Sequence, residues 1–325
     1  MRHFFVINPH SFRTLGSLKR ILIDLENCFS VGHRMEYKIY ISRHPRDAIA
    51  AVHRYMISVP DDETVRVYAV GGDGILFDCL NGMVNFPNAE LTSVPYGSAN
   101  DFVRTFGKGA KKAFRDIKTL SVAPSRPIDI IHCGANYALI EVNIGIIGLT
   151  VYKANKILRG TVKWIHHFTS SIYNISGIRS LANTEVQKQN YAIKMDGVDM
   201  SGDYCNIHVA NIPCDGGTNI PSPYSVPDDG ELEAIFIRTG SKLDLFRKIG
   251  DRNKGSFEKH DLFIYKKCRT MDIESDAPLC VQIDGEAFFA RDIKLKIIPN
   301  GIRFFAPEGL DFTDYSYMAY KSTKG

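Results

Sequence analysis

The chain has 325 residues, of which 44% are hydrophobic, 11% aromatic and 23% charged. These are globular proportions, and they exclude disorder, collagen-like and disulfide-scaffold classes. Forty Lys and Arg against 36 Asp and Glu leave a net charge of +4, so a site for phosphates or an anionic membrane surface needs only a local cluster, and nothing calls for nucleic acid.

The length suggests about two domains, at roughly 100–200 residues each. The N-terminus, Met1-Arg2-His3-Phe4-Phe5-Val6-Ile7-Asn8-Pro9, has too short an apolar run for a signal peptide. It opens a series of short apolar runs, each followed by a polar or glycine-rich loop and a helical pattern. Residues 4–7 lead into Asn8-Pro9-His10-Ser11-Phe12 and a helix near 17–27. Residues 37–41 lead into Ser42-Arg43-His44-Pro45 and a helix near 46–57, where Ala48, Ile49, Val52 and Met56 share a face. Residues 65–70 lead into Gly71-Gly72-Asp73-Gly74 and a helix near 76–84. Residues 91–94 lead into Pro95-Tyr96-Gly97-Ser98-Ala99-Asn100 and a helix opening near Asp101. Strands alternating with helices predict parallel βαβ units with right-handed crossovers. In such a sheet the strand-to-helix loops share the carboxyl edge, where open α/β sheets bind ligands.

After Arg126-Pro127 extended runs take over, at 127–133, 137–146, 191–195, 204–212, 231–237, 262–267, 279–283 and 293–298. They predict a mainly antiparallel second domain. One helical insert carries Leu158, Val162, Ile165, Thr169, Ile172 and Ile175 at spacings of four and three. It also carries Lys153, Lys156, Arg159 and Lys163, then Trp164, His166 and His167. Such a helix can lie on anionic lipid headgroups, or be an ordinary surface helix with solvated charges. Adjacent histidines point about 100° apart on a helix and make a poor metal pair. The seven cysteines are scattered, with no C-x-x-C pair, and read as reduced thiols of a cytosolic protein. The longest later apolar stretch, 142–152, is short of the ~20 residues that span a bilayer. Membrane contact is therefore expected to be peripheral.

The chemistry concentrates in the loops. Glycines at 71, 72 and 74 let the backbone approach a ligand closely, and the helix that follows offers N–H groups suited to phosphate. An aspartate among them repels a bare phosphate, but it makes sense with magnesium between the two. A tight turn with a solvated aspartate is the plain alternative. No Gly-Lys-Ser/Thr follows, so this is not a Walker A loop. Ser98, Asn100 or Asp101 can cap the helix after the second glycine loop, or line a shared nucleotide site. Asn8, Ser11 and Ser42 can add hydrogen bonds. Asp284 and Glu286 stand two apart on an expected strand end, where side chains share a face and paired carboxylates raise each other's proton affinity. A solvated β-turn acid pair is the alternative.

The ordered set Asn8-Pro9-x-Ser11, Gly71-Gly72-Asp73-Gly74, Pro95-x-Gly97-Ser98-x-Asn100-Asp101-Phe102 and Asp284-Gly285-Glu286 resembles the diacylglycerol-kinase catalytic-domain family, which includes bacterial lipid kinases and sphingosine and ceramide kinases. Val209-Ala210-Asn211, Gly216-Gly217, Pro221 and Asp228-Asp229-Gly230 look like its second-domain pattern. The resemblance implies ATP as donor, Mg2+ and a lipid hydroxyl as acceptor. It implies an α/β first domain like that of NAD kinase and phosphofructokinase, residues 1–127 completed by about 301–325. A β-sandwich lipid-substrate domain would occupy 128–300. By position, Gly71, Gly72, Gly74, Ser98 and Ser42 match ATP-binding residues, with Asn8 beside them, and Asp73 would organise the phosphates and their magnesium. Glu286 matches the catalytic base, with Asp284 beside it. Asp229 matches a structural magnesium position, with main-chain carbonyls equivalent to those of Val226 and Glu231, although Pro227-Asp228-Asp229-Gly230 also reads as a tight turn.

Departures from the pattern are Ile75, where the family usually has Thr, Phe12, where it usually has Gly, and Ser98 in place of the more common Thr. The leading expectation is a cytoplasmic lipid kinase that docks peripherally on membranes during turnover, with a homodimer left open. An NAD kinase shares the Gly-Gly-Asp-Gly loop, and a non-catalytic lipid- or nucleotide-binding protein is the reading that Ile75 and Phe12 keep alive.

Overall fold

The computed structural model describes residues 1–12, 14–29, 37–159 and 189–318. The chain divides into two compact units, residues 1–129 with 300–313, and residues 130–299 with those after 313. The expected return of the C-terminal segment to the first unit therefore stops at Thr313.

In the first unit, β1 (Arg2–Ile7), β2 (Tyr37–Ile41), β3 (Val65–Gly71) and β4 (Ala89–Pro95) lie in the order β2-β1-β3-β4. Every pairing among them is parallel. All residues of β3 and β4 are buried, as in a parallel sheet covered on both faces, including the Arg66–Glu90 pair at 2.9 Å. Helices α1 (Leu15–Phe29), α2 (Asp47–Ile57) and α3 (Asp73–Met83) connect the strands. Phe5 stacks on Tyr68 of the neighbouring strand, ring centres 4.1 Å apart. Helices α2 and α3 pack closely at Gly82, where a Cβ would stand 2.7 Å from both the Ile49 carbonyl and Val52 Cβ. The helix expected at Asp101 is a single turn, α4 (Asp101–Arg104), followed by α5 (Ala110–Ala113) and α6 (Ile117–Ser121).

Most of the second unit is antiparallel. Its strands are β5 (Ser125–Cys133, begun in the first unit), β6 (Asn136–Ala138), β7 (Glu141–Gly145), β8 (Gln189–Met195), β9 (Val198–Asp199), β10 (Gly202–Ala210), β11 (Leu232–Arg238), β12 (Phe263–Cys268), β13 (Thr270–Ile283) and β14 (Glu286–Phe305). The sheet runs β12-β11-β10-β7-β13, with β8 paired to both β10 and β13. Strand β14 forms a hairpin with β13, and its residues Arg303 and Phe304 pair in parallel with β4 inside the first unit.

The expected run over 137–146 is broken. A Cβ on Gly145 would lie 2.5 Å from the Cys205 carbonyl, and its φ is +113°, so the strand ends there on a backbone geometry that glycine supplies. Helix α7 (Ile146–Arg159) begins at once, its Ile147 N–H donating to Asn206 Oδ1 at 3.0 Å. Of the expected helical insert, residues 160–188 lie outside the described residues, including Val162, Lys163, Trp164, Ile165, His166, His167, Thr169, Ile172 and Ile175. Helix α8 (Lys242–Arg252) was not expected from periodicity. Ser241 caps it, its hydroxyl accepting from the Asp244 N–H at 3.1 Å. The helix covers a small core of Cys205, Ile235, Ile237, Leu245, Phe257, Leu262 and Phe263.

Candidate active site

The carboxyl ends of β1, β2, β3 and β4 bring their loops together within the first unit. The Asn8 N–H donates to the Val70 carbonyl at 3.0 Å. The Asn8 side-chain oxygen accepts from the His10 N–H at 3.0 Å, winding Pro9–Ser11 into a short turn. That turn sits on Gly71, where a Cβ would stand 3.0 Å from Ser11 Oγ and 2.8 Å from Ile75 Cγ2. Ser42, nearly buried, ties its N–H to the Ile7 carbonyl at 2.9 Å. The Tyr96 and Gly97 N–H groups both donate to the Gly71 carbonyl, at 2.7 and 2.8 Å. A Cβ on Gly97 would stand 2.3 Å from Gly72 Cα, so the two glycine loops meet backbone against backbone and no other residue fits. Gly74 differs, since a Cβ there meets nothing within 4 Å. This is the open side of the loop.

Asp73 joins the loops. Its Oδ2 accepts from the Asp101 N–H at 3.0 Å and its Oδ1 from the Phe102 N–H at 3.4 Å. These are amide groups that a helix start leaves without partners. Asn100 has a left-handed backbone (φ 55°) and is buried. Its amide bonds both polar groups of Gly97, accepting from N–H at 3.0 Å and donating to the carbonyl at 2.6 Å. It shapes the loop. Asp101 is buried against the Arg104 guanidinium at 2.6 Å. Ser98 lies exposed at the loop tip.

Three cations surrounding this loop were missed from the sequence. Arg104 holds Asp101, Lys111 Nζ donates to the Ala99 carbonyl at 2.6 Å, and Arg115 Nε donates to the Pro95 carbonyl at 2.7 Å. Burial and the neighbouring Arg104 push the Lys111 ammonium pKa down. The recurrence of Arg104, Lys108, Lys111, Lys112 and Arg115 was the signal available. The departures also find their places. Ile75 is a buried residue of α3 packed beneath Gly71, and Phe12 stacks on Tyr96 at 4.5 Å, with Arg115 over the Tyr96 ring at 4.7 Å.

In the second unit, the expected geometry of the acid pair is corrected. Asp284 and Gly285 have φ of 44° and 90° and form the two-residue turn between Ile283 and Glu286. Two positive φ values mark the turn type favoured in tight hairpins. Alternation along a strand does not carry across such a turn, so the shared-face inference fails. Asp284 is buried and accepts from the N–H groups of Leu139 (2.8 Å), Ile140 (3.0 Å) and Glu141 (3.0 Å). It anchors the hairpin. Glu286, half-buried, opens β14. Nearby, Asn155 of α7 donates to the Gly285 carbonyl at 2.9 Å.

A buried polar layer lies behind this turn. Gln282 donates to Glu141 Oε1 at 3.2 Å, and Asn143 donates to Gln282 at 3.1 Å. His208 faces Asn143 Oδ1 at 3.0 Å and Ser222 Oγ at 3.1 Å. Burial, with the Arg252 charge second, holds the His208 imidazole well below its ordinary pKa. Glu141 Oε2 is 3.4 Å from Nδ1 and would favour the cation, but complete burial outweighs it and the ring is neutral.

Asp229, implied for a structural metal, is held by groups of its own chain. Asp229 Oδ1 accepts from the Glu231 N–H at 3.0 Å, and Oδ2 meets the Lys267 ammonium at 3.2 Å. Val226 is an exposed neighbour on the same turn. Among the described residues, no group of His, Cys, Asp and Glu side chains is arranged to hold a metal ion, and no helix is long and apolar enough to cross a membrane.

Residues 2–133 match the diacylglycerol kinase catalytic domain, and residues 154–306 match the YegS C-terminal NAD kinase beta sandwich-like domain. A Staphylococcus aureus protein (strain bovine RF122 / ET3-1), provisionally named a lipid kinase, is 29% identical over 250 residues, covering 75% of this chain and 78% of its own. A Bacillus anthracis str. Sterne structure, provisionally titled a diacylglycerol kinase, superposes with a TM-score of 0.71 at 21% identity, covering 94% of this chain and 97% of its own. A diacylglycerol kinase structure from the same organism gives a TM-score of 0.68 at 19% identity over 95% and 98%. At these identities the structural likeness speaks for the fold alone.

Proposed function

The chain belongs to the diacylglycerol kinase catalytic-domain family, and from that premise we propose that it is an ATP- and Mg2+-dependent lipid kinase, phosphorylating the hydroxyl of a lipid alcohol such as diacylglycerol. The observation that carries this reading is the meeting of Gly71, Gly72 and Asp73 with Gly97 and Asp101 at one sheet edge. A Cβ on Gly74 would meet nothing within 4 Å, so the loop is open on that side, and Arg104, Lys111 and Arg115 stand on α4, on α5 and just beyond it. Backbone N–H groups at the start of α3 would receive phosphate oxygens.

Asp73 is the residue that would hold magnesium. It sits half-buried where the two glycine loops meet, which suits the role. The ion would neutralise phosphate charge. Glu286 would take the acceptor's proton, as the half-exposed acid beside the turn. Asp284 is then a positioning residue, since three N–H bonds commit its oxygens. Placement and charge neutralisation would supply most of the rate.

We further propose peripheral contact with membranes through α7 and the β13–β14 hairpin. Tyr152 and Phe289 are exposed there and meet edge to face at 5.0 Å, with Lys153 and Lys156 exposed on the same helix. Apolar rings beside lysines suit an anionic lipid surface.

The test is labelled ATP with dispersed diacylglycerol and a total lipid extract, run in parallel with NAD. Labelled lipid, lost in Glu286→Gln, is expected. Labelled NADP in its place would assign an NAD kinase, and Mg–ATP binding without any labelled product would make the protein a nucleotide binder.

A further inference from the structure

A positive charge from another strand stands against the turn that follows Pro227. Lys267 of β12 stands directly opposite Glu233 of β11. Its Nζ lies 3.2 Å from Asp229 Oδ2, 3.0 Å from Glu231 Oε2 and 3.5 Å from Glu233 Oε1. Glu231 and Glu233 are two residues apart and present their carboxylates to the same side. Glu233 is fully buried, and neither of its oxygens has a normal hydrogen-bond partner. Burial pushes the Glu233 carboxyl up to about 7, against the Ser225 hydroxyl and the Lys267 ammonium, which favour its charged form, and Lys267 is the cation beside it. Asp229 accepts from the Glu231 N–H through one oxygen and from Lys267 through the other.

We propose that Lys267 is the resident cation of this site, its ammonium holding the Asp229 carboxylate that the family pattern gives to a divalent ion, so that this corner of the second unit is built without metal. An ammonium is a compact point charge with three donors, and here three carboxylates surround it. A lysine fixed on a neighbouring strand cannot dissociate as an ion can. The corner should therefore be indifferent to chelators. The proposal concerns architecture alone and does not depend on the lipid-kinase reading.

The test is thermal unfolding of the full chain without nucleotide, in EDTA and in millimolar MgCl2 or CaCl2, for wild type, Asp229→Asn, Lys267→Met and Lys267→Met/Glu233→Gln. Wild type should melt at the same temperature in all buffers, after subtraction of any shift that Asp229→Asn also shows. Lys267→Met should melt lower by more than about 5 °C, because a buried charge loses its partner. Adding Glu233→Gln should recover most of that loss in EDTA, and it keeps the test readable if the single variant does not fold. A saturable rise of the wild-type midpoint with divalent cation that disappears in Asp229→Asn would overturn the proposal. So would a Lys267→Met protein as stable as wild type in EDTA, or a double variant no better than the single one.

Discussion

Asp73 Oδ2 lies 3.0 Å from the peptide nitrogen of Asp101, so the acid of one glycine loop caps the helix that opens after the other. This places a structural duty on a residue proposed to organise phosphates. The two duties separate by substitution.

Asp73→Ala should lose turnover and also about 1–2 kcal/mol of stability, the usual cost of removing a helix cap. Asp73→Asn keeps an oxygen acceptor for one N–H. It should stay within about 1 kcal/mol of wild type while turnover falls at least ~100-fold, as expected when a charge-stabilising group is removed. Denaturant titration beside a lipid-kinase assay reads both. Near-native turnover in Asp73→Asn would remove the carboxylate's charge from the chemistry.

The hairpin acids should divide in the opposite sense. Glu286→Gln is expected to cut kcat by about 10²–10⁴ with stability and ATP affinity kept. Asp284→Asn would turn an amide toward N–H donors and cost about 2–4 kcal/mol of stability. If Glu286→Gln loses only a few-fold in kcat, the base lies elsewhere.

Gly97 and Gly74 give a steric contrast. Gly97→Ala pushes a Cβ to 2.3 Å from Gly72 Cα and should destabilise the first unit by more than about 2 kcal/mol, since backbone cannot yield as a side chain can. Gly74→Ala meets nothing within 4 Å and should be neutral, or stabilising by about 0.5–1 kcal/mol as a helical glycine replaced by alanine. Its effect should appear in ATP binding, weaker by about tenfold, roughly 1.4 kcal/mol. Unchanged ATP affinity would place the triphosphate away from the open side.

His208 makes the second unit acid-sensitive. Its folded pKa is depressed by burial, so the unfolded chain takes up a proton near the ordinary value of 6.5 while the folded one does not. More protons bound in the unfolded state means that stability is present above pH 6.5 and is lost as pH falls, with a slope approaching about 1.4 kcal/mol per pH unit for this one group. His208→Gln should flatten that slope in denaturant titrations between pH 7.5 and 5.5. An unchanged slope would show that other groups set the acid limb.

Local chemistry was legible in the sequence and distant pairing was not. The four short strands and their loops announce themselves through apolar runs ended by Gly, Pro, Ser and Asn, and the parallel pairings follow that pattern. The Asp284-Gly285 turn was readable too, as an Asp-Gly pair between apolar stretches, but strand alternation was applied across it. Ser241 with Asp244, and the spacing of Leu245 and Ile249, signalled α8. What no local window carries is the partner of Lys267, which is chosen by the β11–β12 register. The same holds for the Gly72–Gly97 contact, made only when β3 and β4 lie side by side.

Strand β4 receives its outer neighbour from the far end of β14, and Thr92 donates its hydroxyl proton to the Phe305 carbonyl across 213 positions of sequence. During translation the nucleotide-side sheet therefore has to wait with one border exposed until that stretch leaves the ribosome. The lobe begun first is closed only after nearly all of the other has been made. An unpaired border is where sheets recruit strangers, so chaperone dependence and aggregation of nascent chains should concentrate in that interval.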